Sequence, residues 1–333
     1  MAIDTHGRFF FDKPERQDGP DGDEKTDINV PERSDQAKNV KGYPRKKALV
    51  DAAATRTKDS ILDKYGNYIS DDQKERIGKE IVPSKYEVYN ERYFLNTKLQ
   101  DIPPDERANI LGFHEVKNHE IALKDNDDKD ELQHVTTHET MHSLSYQGHL
   151  YEQGNGKWDE IEMLGYRGEK SRTGIREITY QNTEIPGSVE KKLASDANLG
   201  LNEGLTEMYT LREIRERGEE PGIAAYTKEV GWAMKLEECV GQETMGKAYF
   251  GGDLPALKAK VDELGGAPGT WESLSGSVDW HAQLRSMEIA SFASGNFDAA
   301  ATFASQKEAC ERGINEILRT LNRKRIELDG DSI

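Results

Sequence analysis

Leu132–Tyr146 reads LQHVTTHETMHSLSY, and within it His138, Glu139 and His142 spell H-E-x-x-H. The stretch holds no Pro or Gly, and Leu132, Val135, Met141 and Leu144 supply apolar positions at helical spacing, so it predicts a helix. Asp130, with Gln133 three positions on, reads as its N-terminal capping pair. Side chains at i and i+4 leave one helical face about a turn apart. His138 and His142 can therefore chelate one ion, while Glu139 can reach a water bound to it. Neutral imidazoles suit zinc, and a catalytic zinc takes three protein ligands and keeps a fourth position for water. The motif calls for a third ligand elsewhere in the chain.

Three places compete for that role. His149 follows the motif, but the metzincin spacing puts Gly and His where Ser145 and Gly148 stand, and His149 falls one residue late. His134 lies one turn before His138 on the same face, yet three consecutive turns of one straight helix wrap a tetrahedral ion poorly. A structural or supporting role suits His134 better. The third place is Leu201–Thr210, LNEGLTEMYT, far downstream.

H-E-T-M-H followed by L-N-E-G-L-T-E resembles the gluzincin metallopeptidases, the superfamily of thermolysin and the zinc aminopeptidases. The resemblance covers about a quarter of the chain, through the two helices and the region joining them. It implies Glu203 as the third zinc ligand. It also implies that Glu207, one turn later, accepts the free ring N–H of a ligand histidine, which fixes the tautomer and raises basicity. Thermolysin-like members more often carry Asp at that second position. The resemblance further implies a zincin-like, two-lobed α+β fold. Its N-terminal lobe would hold a small mixed sheet and the active-site helix, and its C-terminal lobe would be helical.

Composition bounds the partners. The chain has 333 residues, 35% hydrophobic and 32% charged, with a formal charge of −17. No membrane span is legible, and so acidic a chain excludes nucleic acid or an anionic membrane as partner, since both need basic footprints. Cys239 and Cys310 are too few for a disulfide framework or a thiolate metal site, which favours a reducing compartment.

Residues 1–45 form the first unit, an extended or disordered leader whose densest part is FDKPERQDGPDGDEKTD. Phe9, Phe10 and Phe11 are its one apolar cluster, far short of a Sec signal peptide. Residues 46–195 form the N-terminal lobe. It begins with helices in KKALVDAAATRTKDSILDKYG and DDQKERIGKEI, followed by a strand over Tyr86–Lys98. A hairpin around Lys117 and Asn118 comes next. Its second strand, NHEIALK, precedes the motif helix, and the gluzincin resemblance implies that it forms the cleft edge that pairs with substrate. Residues 147–195 read as a hairpin or long loop at the cleft rim. Residues 196–333 are the helical lobe, with helices over Leu199–Arg217, Ile223–Val240, Gln242–Phe250, Pro255–Leu264 and Phe297–Ile326.

These readings describe a zinc-dependent endopeptidase acting on a protein or peptide substrate. His138, His142 and, as the resemblance implies, Glu203 would hold Zn2+, with Glu139 as the catalytic base. His281, Tyr209, Tyr226 and Tyr249 are eligible to steady the oxyanion. An aminopeptidase of the same superfamily and a non-catalytic, zinc-stabilised interaction protein are the alternatives. Cytoplasmic residence, or export without a Sec signal as an effector delivered into another cell, fits the leader. Oligomeric state is not legible.

Overall fold

A computed structural model of the chain describes residues 40–100, 107, 110–115, 120–152, 158–159, 168–185, 188–223 and 225–330. The expected leader, with Phe9–Phe11, lies outside these up to residue 39. The first described helix, α1 (Tyr43–Tyr65), already includes Pro44 and Arg45, and it buries Val50, Ala53, Ala54, Thr57 and Ile61 along one face. Helix α2 (Asp71–Glu80) starts at Ser70, whose side chain accepts from the Gln73 N–H, with Asp71 and Asp72 at its positive end.

Three short strands follow: β1 (Tyr86–Tyr89), β2 (Gly112–Glu115) and β3 (Glu120–Lys124), in the order β1-β3-β2. β1 runs parallel to β3 and β2 antiparallel. Two expectations are corrected here. The strand expected over Tyr86–Lys98 stops at Tyr89, because the Asn90 side chain accepts the Tyr93 N–H at 3.0 Å and starts a helical turn that continues through Phe94–Lys98. The expected edge strand, β3, is central, and β2 is the edge next to the motif helix.

That helix, α3, spans Lys129–Leu144. Its cap is Asp128, which accepts from the Asp130 and Glu131 N–H groups, rather than the expected pair Asp130 and Gln133. Every residue from Glu131 to Leu144 is buried. Its threonines are satisfied locally: Thr136, Thr137 and Thr140 donate to carbonyls four residues back at 2.7, 2.9 and 2.7 Å.

The region expected as a hairpin or loop is instead an antiparallel sheet of β4 (Gln147–Glu152), β5 (Trp158–Asp159), β6 (Gly168–Thr173), β7 (Arg176–Ile185) and β8 (Ser188–Ala197), ordered β5-β4-β6-β7-β8. The expected boundary at residue 195 falls inside β8. After it come helices α4 (Leu199–Glu216), α5 (Thr227–Val240), α6 (Gln242–Tyr249), α7 (Leu254–Gly265), α8 (Thr270–Ala293) and α9 (Phe297–Gly330). Helix α8 was not expected from the sequence. Ser273, Ser275, Gly276 and Ser277 dilute its helical signal, although Trp271, Leu274, Val278 and Leu284 bury one face.

The fold is therefore α+β with small sheets and a helical C-terminal part. One buried apolar core runs from Val40, just before α1, and Val50 on α1, through Leu132 and Met141 on α3, to Leu318 and Leu321 on α9. A second cluster, including Phe94, Phe113 and Ala122, lies against the three-stranded sheet. Among the described residues no helix is long and apolar enough to cross a membrane.

Candidate metal centre

Helices α3 and α4 pack side by side and interleave their polar side chains. His134, His138 and His142 follow one another at i, i+4 spacing on α3, and Glu203 and Glu207 do the same on α4. Close approach is possible because α4 carries glycine where it meets its neighbours. A Cβ on Gly204 would lie 2.6 Å from the Glu229 carbonyl oxygen on α5, and one on Gly200 would lie 2.8 Å from Val278 on α8.

Nε2 of His138 and Nε2 of His142 lie 3.1 Å apart. Oε2 of Glu203 is 3.6 Å from the first and 3.4 Å from the second. Metal–ligand bonds of about 2.05 Å at the tetrahedral angle put ligand atoms about 3.3 Å apart. The three donor atoms thus sit close to the corners of one face of such a tetrahedron, and they are the one group of three potential ligands that converges among the described residues. Neither oxygen of Glu203 accepts a hydrogen bond, although the side chain is buried. A carboxylate left so would cost several kcal/mol without a cation.

The rings are aimed from behind. Glu207 Oε2 takes the His138 Nδ1–H at 2.9 Å, and a carboxylate can only accept, so the His138 Nε2 lone pair faces the centre. Thr206 Oγ1 donates to the Asn202 carbonyl at 2.9 Å and lies 3.4 Å from His142 Nδ1, so its remaining lone pairs suit an N–H there. Tyr249 completes that side with its hydroxyl 2.6 Å from Thr206 Oγ1.

Charge sharpens the picture. Burial opposes ionisation of Glu203 and Glu207, but their histidine partners outweigh it and hold both below the usual carboxylate range. Burial lowers His138 as well, yet the Glu203 carboxylate close by and the hydrogen bond to Glu207 more than reverse this and raise it to about 9. His142, with the same burial and the Arg176 guanidinium nearby, is lowered instead. Two buried carboxylates beside imidazoles that can give up a proton to an arriving cation suit a divalent ion.

Glu139 lies beside this group at the sheet edge. Its carboxyl is pushed up to about 8 by burial and by the Glu203 charge, opposed by His138 and by the backbone N–H of His114 on β2. Its Oε2 has no hydrogen-bond partner. Gly112 on β2 is what lets the strand come so near: a Cβ there would lie 2.7 Å from Val135 and 3.3 Å from Glu139.

All five site residues read from sequence, His138, Glu139, His142, Glu203 and Glu207, are thus brought together. His134, set aside as a ligand, bonds Glu207 rather than joining the donor group. His149 lies on β4, and its side chain is outside the described residues. Of the four aromatic or histidine candidates for oxyanion support, Tyr226 stacks on the His138 ring at 6.0 Å and 14°. It does so from φ 50, a left-handed conformation that costs a non-glycine residue about 1–2 kcal/mol. The loop before it is pressed onto α3, since a Cβ on Gly222 would lie 2.2 Å from the Glu131 nitrogen. Tyr249 is committed to Thr206, and Tyr209 packs against Tyr65 and Phe250. His281 belongs to another cluster, 3.2 Å from Glu311 and edge-on to Trp232.

Sequence reasoning missed Arg176, which is fully buried at the start of β7 and held by Asp196 at 2.8 and 2.6 Å. No local motif signals it, because its partner lies across a hairpin that reads as polar loop.

No protein-family model matches the chain, and neither curated proteins nor solved structures give a significant match.

Proposed function

We propose that this protein is a zinc-dependent endopeptidase of gluzincin type. The observation that carries the reading is the convergence of two imidazole nitrogens and one carboxylate oxygen at 3.1, 3.4 and 3.6 Å, with Glu139 beside them. Helix α3, the three-stranded sheet and the helical C-terminal part would then correspond to the lobes of a zincin.

In this reading His138, His142 and Glu203 hold the ion, and Glu207 fixes the His138 ring. A zinc ion bound there supplies Lewis acidity and a water of lowered pKa. Glu139 takes the proton of the attacking water and later delivers it to the leaving amine. Burial raises this carboxyl in the metal-free chain, and a cation bound beside it would favour the ionised form that accepts the proton. β2, at the edge of the described three-stranded sheet beside Glu139, is where an extended peptide would pair, a mode that binds a chain without demanding one sequence. Of the residues eligible to steady the oxyanion, Tyr226 has the support of its contact with His138. The acidic charge fits an intracellular enzyme or an exported effector.

One observation favours a second reading. His138, Glu139, His142 and Glu203 are each at most 1% exposed, so the described conformation is closed over the centre, as a structural zinc site would be. Against this, a structural site has no use for a buried, partly unsatisfied Glu139, which destabilises the chain. Metal analysis of wild type and Glu139→Gln, with mapping of new chain ends after each is added to a lysate, separates the readings. Zinc in both and phenanthroline-sensitive cleavage by wild type alone supports the peptidase. Zinc in both with no cleavage by either supports the interaction protein.

A further inference from the structure

The buried network behind His138 is one residue deeper than a ligand and its carboxylate. Glu207 lies with Oε1 2.9 Å and Oε2 3.2 Å from His134 Nε2, while Oε2 also meets His138 Nδ1 at 2.9 Å. All three side chains are at most 1% exposed. His134 stands one turn ahead of His138 on α3, so a single carboxylate from α4 bridges two successive rungs of the facing helix. Among the described residues these two histidines are the hydrogen-bond partners of Glu207.

We propose that His134 is a positioning residue for the metal centre: its Nε2–H clamps Glu207 so that the carboxylate stays in line with the His138 Nδ1–H. The argument is one of degrees of freedom. With one histidine, the carboxylate can swing about its last bond and still keep a contact, and the His138 ring turns with it. With a second donor fixed one helical turn away, both oxygens are held and the ring plane is set. Removing that donor leaves a buried oxygen without a partner, a cost that the carboxylate relieves by moving or by taking a proton. Either response weakens its hold on the His138 N–H, and partners behind a ligand commonly set metal affinity by 10- to 100-fold. His134 itself touches no metal donor and is not a catalytic residue.

This inference rests on the metal-binding half of the proposed function and is independent of whether peptides are cleaved. The test is therefore a zinc dissociation constant, measured by chelator competition on the full chain, with the d–d spectrum of the cobalt-substituted protein as a second readout. Glutamine places an amide N–H near the imidazole Nε2, whereas leucine supplies none and the asparagine amide falls short. His134→Leu and His134→Asn are expected to raise the zinc dissociation constant by about 10-fold or more and to shift the cobalt bands. His134→Gln is expected to stay within about 3-fold of wild type with unchanged bands, and the leucine effect should largely vanish in a Glu207→Gln background. If leucine does not yield folded protein, the asparagine and glutamine pair decides. Equal affinities for wild type, asparagine and glutamine overturn the proposal, as does equal loss in both variants or full additivity with Glu207→Gln. A wild-type chain that binds zinc but cleaves nothing refutes the peptidase and leaves the His134 result standing. A wild-type chain that binds no divalent ion overturns both.

Discussion

Zinc should displace a proton from His138, and the pH dependence of its affinity should report it. His138 Nδ1 keeps its hydrogen for Glu207, so the proton that titrates at about 9 sits on Nε2, the atom that faces His142 and Glu203. Zinc and that proton compete for one lone pair. At pH 7 the ring is two units below its pKa, so apparent affinity should be about 100-fold weaker than at pH above 9, or about 2.7 kcal/mol. His142 is lowered and neutral at this pH, so it adds no proton. Glu139, raised to about 8, adds up to one more if the arriving charge ionises it. The logarithm of the association constant should therefore climb by one to two per pH unit between 7 and 8, by about one from 8 to 9, and then level off.

The metal-free chain should move the other way. A raised histidine pKa contributes stability that is complete below its ordinary value of 6.5 and lost as pH rises through about 9. A raised Glu139 contributes in the same sense, complete below 4.5 and lost through about 8. With both groups counted, the apo protein should thus lose on the order of 4–5 kcal/mol between pH 6.5 and 9, while the gain on adding zinc grows. Chelator competition from pH 6.5 to 9.5, with thermal melts of apo and zinc-loaded protein, measures both trends. A zinc affinity constant to within twofold between pH 7 and 9 would refute the assigned tautomer and the shared donor site.

Other outcomes follow from particular contacts. Glu139→Gln should keep zinc binding within a few-fold and lower peptide cleavage by about 10²- to 10⁴-fold, read as kcat/KM on any substrate found. Gly204→Ala should destabilise the fold by about 1–3 kcal/mol in denaturant unfolding, because its methyl would meet the Glu229 backbone at 2.6 Å; an unchanged midpoint would mean that α4 and α5 can separate freely. Asp196→Ala should cost about 3–5 kcal/mol by the same assay, since it removes the carboxylate that holds the buried Arg176 at two nitrogens.

How much of this was legible beforehand differed by element. The site was readable because its chemistry is local twice over: H-E-x-x-H fixes two rings by helical spacing, and N-E-G-x-T-E fixes two carboxylates in the same way. The close approach of α4 to α5 at Gly204 was not read from the sequence, because it depends on which helix packs there. The five-stranded sheet was not readable, because its strands, such as GEKSRT and SVEKKLASDA, lack the apolar alternation of a half-buried sheet. Their order depends on pairings between distant segments. Edge and centre in the small sheet were confused for a related reason: sequence order places β3 next to α3, but the parallel pairing of β1 with β3 is long-range and pushes β2 outward. The Arg176–Asp196 pair is invisible for the same reason, as is the capture of His134 by Glu207. The Asp128 cap was missed by two residues, because Asp128 and Asp130 are both competent oxygens and backbone geometry chooses between them.

Helix α3 has no face turned to water from Glu131 to Leu144. An ion seated between it and α4 would be caged as well as coordinated, and its residence time would then follow how often the cage breathes more than bond strength. Loading then belongs to the biography of the folding chain, and a chelator in the surrounding solution waits on the protein.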